Sequence, residues 1–167
     1  MSSPIASRLW SAAALPIGVA ALALSCAKLP LVGGTPAITL KLTAGPQCNS
    51  CGKSRGYTLH FRILQVKDAT ALAATKPEDV WDHEEALLGG ALLKDAQGKG
   101  VFEDMIDPGA TKSVSVPRIP KAAALVFLGN FCKTQGSCWY LVKPLKGSGG
   151  ASLDLFLDNL CVSERRR

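Results

Sequence analysis

Four stretches of this chain alternate apolar and polar residues with a period of two, and no other feature restricts the fold as much. In Ala37–Thr43, Ile38, Leu40 and Leu42 interleave with Thr39, Lys41 and Thr43. In Tyr57–Val66, Tyr57, Leu59, Phe61 and Ile63 interleave with Thr58, His60 and Arg62. Val114 and Val116 alternate within Ser113–Val116, and Leu153, Leu155 and Leu157 within a final stretch, Ser152–Cys161, where Phe156 puts an apolar group on the other face. Successive side chains of a strand point to opposite faces, so each stretch predicts a strand with one face on a core and one toward water. Ala122–Phe131 is instead almost continuously apolar and predicts a strand covered on both sides, with Trp139–Val142 returning beside it. Pro117 and Pro120 bar a central-strand position where they stand.

Between these stretches lie shorter apolar fragments, Leu92-Leu93, Val101-Phe102 and Met105-Ile106, with turns at Gly98–Gly100 and Asp107-Pro108-Gly109. One segment is helical in character. Asp68 can cap a turn over Ala69–Ala74, and Thr75 and Glu78 stand at capping-box spacing with Pro77 in the first turn of a helix expected to reach Leu88. Val80, Trp81, Glu84, Leu87 and Leu88 share the face expected on the sheet, and Asp79, Asp82 and Glu85 the face toward water. Six to eight short strands with one helical excursion after the second predict a mainly-β sandwich with a helical insertion.

The N-terminal part reads differently. Leu9–Leu24 is an apolar run interrupted by Ser11, Pro16 and Gly18, too short and too broken for a spanning helix, and it has the layout of a secretory signal peptide. It ends in Leu22-Ala23-Leu24-Ser25-Cys26, which resembles a bacterial lipoprotein box whose cysteine is acylated and becomes the first mature residue. An ordinary signal peptide cleaved nearby is the alternative. The resemblance makes residues 1–25 a signal peptide and Cys26 the lipidation site. Ala27, where inner-membrane lipoproteins carry Asp, points to the outer membrane and its periplasmic face. Residues 26–36, with Pro30, Gly33, Gly34 and Pro36, read as a tether, 37–163 as the sandwich and 164–167 as a basic tail.

Removing 25 of the 167 residues leaves 142, enough for one domain. The net charge of +6 is scattered, with no basic stripe interleaved with aromatics, which argues against nucleic-acid binding and supports only a modest attraction to acidic surfaces. Five cysteines follow Cys26, at 48, 51, 132, 138 and 161, and an exported chain tends to pair them. Cys132 and Cys138 flank a five-residue connection at the base of a predicted hairpin and are expected to pair. Cys48 and Cys51 lie in a loop and suggest a local disulfide or unpaired thiols. A redox pair would open a helix, which nothing here does, and a zinc site with Cys132 and Cys138 would have an unusually wide second spacing. His60 on a polar strand face, and the carboxylates of Glu78–Glu85, lack partners for catalysis, so no catalytic or metal residues are assigned.

The lipoprotein box, the first strand and loop, then Arg62-Ile63-Leu64-Gln65-Val66-Lys67-Asp68, Leu72, Val80-Trp81 and Leu88-Gly89, the Pro108-Gly109 turn and the Trp139 strand resemble the TssJ (VasD/SciN) lipoproteins of type VI secretion. The resemblance implies a transthyretin-like or C2-like sandwich of two antiparallel sheets, without cofactor or enzymatic activity apart from the covalent lipid. It implies that the loop between the first two strands binds the periplasmic domain of TssM, and through it TssL, tying the inner-membrane complex to the outer membrane. That loop is Gly45, Pro46, Gln47, Cys48, Asn49, Ser50, Cys51, Gly52, Lys53, Ser54, Arg55 and Gly56. A Cys48–Cys51 bond would restrict the loop before docking, and Lys53 and Arg55 would orient an acidic surface. An exported ligand- or carbohydrate-binding sandwich and a periplasmic thiol oxidoreductase are the alternatives; the first needs an exposed aromatic platform that three Trp and two Tyr hardly supply.

Overall fold

The computed structural model describes residues 35–134 and 136–165; the expected signal peptide, Cys26, most of the tether and Arg166-Arg167 lie outside them. Eight strands run in chain order: β1 (Ala37–Ala44), β2 (Leu59–Val66), β3 (Val101–Ile106), β4 (Thr111–Pro117), β5 (Ala124–Gly129), β6 (Tyr140–Pro144), β7 (Ala151–Asp158) and β8 (Cys161–Glu164). They form two four-stranded sheets, β4-β1-β7-β8 and β3-β2-β5-β6. The sandwich is as expected, with one difference: β1 and β7 run parallel, Ile38 beside Ala151 and Ala44 beside Leu157, so the first sheet is mixed. A parallel pair needs a crossover, here made through the whole second sheet.

The period-two pattern sorts the core. Ile38, Leu40 and Leu42 of β1, Val114 and Val116 of β4 and Leu153, Leu155 and Leu157 of β7 are all buried between the sheets. Opposite them, β2 contributes Leu59, Phe61 and Ile63, and Phe61 stacks on Phe127 of β5 at 5.3 Å between ring centroids. Gln65 on this inner face also joins the sheets: its Nε2 donates to Pro117 O at 2.7 Å and its Oε1 accepts from Ile119 N at 2.8 Å. Pro117 ends β4, an edge strand, and Pro120 lies three residues beyond it. Phe156 is half-buried on the outer face of β7, where the Arg165 guanidinium lies 5.1 Å from its ring.

All six residues of β5 are buried, as the sequence predicts, which requires a cover on the outer face of the second sheet. The insertion after β2 supplies it, burying Leu72, Val80 and Leu88. The single helix expected to reach Leu88 is two short ones, α1 (Pro77–Val80) and α2 (Glu84–Leu88). Lys76 rather than Thr75 occupies the N-cap, and the Thr75 hydroxyl donates back to Leu72 O. The break at Trp81–His83, where Asp82 takes φ +69°, brings Trp81, Asp82 and Glu84 to one group on β2. Arg62 donates to Glu84 at 2.6 Å, Asp82 at 2.6 Å and Glu103 of β3 at 2.8 Å, and its guanidinium lies 4.3 Å from the Trp81 ring. Burial opposes the charge on Arg62, but its bonds to Glu84, Asp82 and Glu103 outweigh it and raise its pKa; Arg62 in turn lowers that of Glu103. His60 joins the cluster through Glu103 at 2.7 Å and the edge of Trp81.

Two further boundaries differ from expectation. The stretch Ser152–Cys161 is two strands, because Asn159 takes φ +48°, a conformation Asn tolerates, and turns the chain into β8. Leu92 makes only an isolated bridge to Val66, while Val101–Ile106 is one strand.

Replacing Arg62 with Met is expected to destabilise the domain by about 3–5 kcal/mol, because Glu84, whose side chain is 6% exposed, is left buried without its cation. Chemical denaturation checks this, and the double variant Arg62→Met/Glu84→Gln should recover part of the loss.

A candidate docking loop laced to one end of the sandwich

The connection from β1 to β2 divides into a buried root and an exposed tip. Cys48, Asn49 and Ser50 are buried, whereas Gly52, Lys53, Ser54 and Arg55 are open to water. The root is shaped by its own backbone: Cys48 N donates to Gly45 O at 3.0 Å, Tyr57 N to Cys48 O at 2.9 Å and Gly56 N to Pro46 O at 3.2 Å. The chain passes itself so closely that a Cβ on Gly56 would lie 2.5 Å from Cys48 O, so only glycine fits there.

Asn49 ties this root to its neighbours. Held at φ +54°, it donates from Nδ2 to Thr58 O at 3.1 Å and accepts at Oδ1 from Cys132 N at 2.8 Å, while its backbone N–H reaches Asn159 O. One buried side chain thus joins the β1–β2 loop to the β5–β6 connection, and its backbone to the β7–β8 turn. Gly109 N donates to Gly45 O at 3.2 Å and Thr58 Oγ1 to Asp107 Oδ1 at 2.6 Å, bringing in the β3–β4 turn. Asn has the short amide that tolerates a left-handed backbone while both donating and accepting.

The disulfides correct the local pairings expected from spacing. Cys51 is bonded to Cys132, 81 residues away, and Cys138 to Cys161; Cys48 is a free buried thiol. Neither Cys132–Cys138 nor Cys48–Cys51 forms. The β5–β6 ladder closes at Leu128 and Tyr140, so 132 and 138 lie in a connection beyond it with nothing to hold them face to face. Cys48 points into the core while Cys51, at φ +56°, turns outward toward the β5–β6 connection. Burial, reinforced by Asp158, pushes the Cys48 thiol up to about 11, so it is not a thiolate nucleophile, and the oxidoreductase alternative loses its pair.

At the tip, Lys53 Nζ and Arg55 Cζ lie 5.3 and 5.4 Å from the centre of the Tyr57 ring. Their hydrogen bonds, from Arg55 first and then Lys53, lower the Tyr57 pKa. Neither cation has an acidic partner among the described residues. Beside the Cys51–Cys132 bond a depression of about 370 Å³ is lined by Pro77, Glu78, Trp81, Phe131, Cys132 and Lys133. Its tryptophan is no free sugar platform, since Arg62 occupies one face of the ring, and Trp139 is buried. Among the described residues no group of three or more His, Cys, Asp or Glu is placed to hold a metal ion, and no helix is long and apolar enough to cross a membrane.

A mainly-β sandwich with an insertion over one sheet and a stapled loop between its first strands narrows the comparison. A family model described as the type VI secretion lipoprotein, VasD, EvfM, TssJ, matches residues 36–160. The chain belongs to this family. TssJ proteins are structural lipoproteins of a secretion system rather than enzymes, which places the chain among membrane-anchored components of the envelope. Among solved structures, it is similar to the T6SS lipoprotein TssJ1 from Pseudomonas aeruginosa, with TM-score 0.68 and 20% identity over 80% of this chain and 97% of that one. Serratia marcescens Lip, described as a membrane bound component of the type VI secretion system, gives 0.69 and 13% over 80% and 98%. A chain of the structure described as the T6SS protein TssM C-terminal domain from EAEC gives 0.61 and 14% over 79% and 99%. At these identities the likeness concerns the fold. No curated protein matches the chain.

Sequence reading located the loop but missed what holds it. Asn49 stands inside Cys48-Asn49-Ser50-Cys51, where an Asn suited to a left-handed turn is the available signal, and nothing local marks Cys161 as the partner of Cys138.

Non-reducing peptide mapping is expected to return Cys51–Cys132 and Cys138–Cys161, with Cys48 alkylated only after unfolding. Replacing Cys51 and Cys132 by Ser should cost about 2–4 kcal/mol, in keeping with a long closed loop. Because the Cys48 pKa is raised in the folded state from 9.0, its contribution is complete below pH 9 and declines toward about 11. Cys48→Ala should flatten that part of the stability–pH curve.

Proposed function

We propose that this TssJ-family lipoprotein is held at the periplasmic face of the outer membrane by a lipid on Cys26. From there it binds the periplasmic domain of TssM through Gly45–Gly56, so that the TssM–TssL complex is tied to the outer membrane. Residues 1–25 act as the signal peptide, 26–36 as the lipidated tether, 37–163 as the binding body and 164–167 as a basic tail.

The observation that carries this reading is the polarity of β1. The chain enters the sandwich at Ala37 and leaves β1 at Ala44, directly into the loop. Eight residues of strand span roughly 26 Å. The chain therefore enters the body at one end of β1 and the loop lies at the other, so a lipid upstream of Ala37 leaves the loop end free to face away from the membrane. The loop's conformation supports the same reading. Asn49 and the Cys51–Cys132 bond order it before any partner arrives, which removes part of the entropy lost on docking, and leave Lys53 and Arg55 presented at the tip. Unpaired cations at an exposed tip steer an acidic surface and set its register more than they supply affinity.

Cys26→Ser should abolish palmitate incorporation and release the protein from the membrane fraction. For docking, Lys53→Glu/Arg55→Glu should weaken binding to the TssM periplasmic domain by tenfold or more, mainly through a slower, less salt-dependent association rate, as read by surface plasmon resonance. Cys51→Ser/Cys132→Ser should weaken it by about tenfold with greater exchange of loop amides. Unchanged affinity in both variants would reject the loop as the contact.

A further inference from the structure

The end of the sandwich opposite the docking loop carries its own charge pattern. There the chain enters at Thr35 and Pro36, and the β4–β5 and β6–β7 connections meet it. Arg118 N donates to Pro36 O at 2.7 Å. Neither connection, residues 118–123 or 145–150, contains an Asp or Glu, while together they carry Arg118, Lys121 and Lys146. Arg118 is 8% exposed and no carboxylate among the described residues pairs with it. Its guanidinium donates instead to four backbone carbonyls, Lys146 at 3.2 Å, Gly149 at 2.5 Å, Gly147 at 2.6 Å and Ala122 at 3.3 Å. These bonds clamp the two connections side by side. Carbonyl dipoles satisfy the donors without cancelling the net charge, so the floor of this end stays positive. Lys121, held at φ +69°, and Lys146 are exposed beside it and have no acidic partner among the described residues. A depression of about 260 Å³ opens between the two connections, lined by Thr35, Pro36, Arg118, Lys121, Gly147 and Ser148. On the neighbouring turn Asp95 accepts from Gln97 N and Lys99 N and makes no ion pair with Arg118, Lys121 or Lys146.

Covalent geometry limits how far this end can stand from the anchor. Eight residues separate Cys26 from Thr35, nine steps of chain with a reach of at most about 30 Å even when fully extended. If Cys26 carries the lipid, the end at Thr35 cannot leave the neighbourhood of the bilayer. We propose that this end, Arg118–Lys121 with Lys146–Gly149, rests on the anionic phospholipid headgroups of the membrane that holds the anchor. The Lys121 and Lys146 ammonium groups donate to headgroup phosphates, and the glycines at 147, 149 and 150 let the backbone approach the surface. Basic side chains at an anionic surface add to the hold of the lipid. Contact of this kind also sets the body's direction, pointing β1 and the docking loop into the periplasm rather than leaving them to tumble on the tether. The inference rests on the anchoring reading above.

The test uses the mature lipidated protein reconstituted into vesicles of phosphatidylethanolamine, with or without phosphatidylglycerol, with amide hydrogen exchange as the readout. With phosphatidylglycerol present, residues 118–123 and 145–150 should exchange more slowly, about fivefold for each lysine engaged, while the loop tip 52–55 is unchanged. The slowing should disappear in high salt and in Lys121→Glu/Lys146→Glu, which leaves the Arg118 clamp in place. Equal exchange on both vesicle types, or slowing that survives the double charge reversal, would overturn the proposal while leaving the anchor intact. Wild-type protein that fails to float with either vesicle would overturn the anchoring reading and this one with it.

Discussion

The second sheet must be covered on both faces, and most of the molecule's arrangement follows from meeting that demand. Val126 and Leu128 of β5 and Leu64 and Val66 of β2 lie on the side of the sheet away from its partner, where bare exposure would cost roughly 1.5–3 kcal/mol for each large side chain. The cover is an insertion too short and too broken to be stable by itself, since helices of four and five residues lack the length to propagate. Arg62 resolves this by gathering Glu84, Asp82 and Trp81 from the insertion and Glu103 from β3 around one guanidinium. The helix is interrupted where those groups must converge, so the ion cluster fixes the location of a segment whose hydrophobic contacts supply the energy.

A similar economy governs the loop end. Four connections meet there, and none contains enough apolar surface to order itself. Asn49, two disulfides and a few backbone bonds join them as one cap, with the tip of the first loop exposed beyond it. Hydrogen bonds at a buried root cost more to break than exposed ones, because each partner would be stranded away from water. A loop held in this manner has already lost much of the entropy that docking would otherwise remove.

The two ends therefore differ in kind. One is stapled by sulfur and an amide and presents Lys53 and Arg55; the other is clamped by Arg118 on carbonyl oxygens and presents Lys121 and Lys146. Strand β1 separates them, and because it runs parallel to β7, both ends of the first sheet are crossed by connections from the second. Under the proposed function the first end meets the partner and the second faces the membrane.

Strand positions, the doubly buried β5, the inward faces of β1, β4 and β7 and the place of the insertion were legible in the sequence, because burial of alternate side chains writes a local period into the chain. The family pattern was legible too, and with it the fold. The breaks were not: Asp82 and Asn159 adopt left-handed conformations because of what their neighbours do, and a period alone cannot show where a helix or strand must stop. Nor was the cysteine pairing. Spacing favoured partners six or three residues apart, whereas Cys51 meets Cys132 across 81 residues because β5 is laid beside β2 and carries its connection over the first loop. Local order is set by residues within a turn or a strand of one another; a disulfide, a buried amide and a carbonyl-bound arginine are chosen by distances that exist only once the sheets have packed.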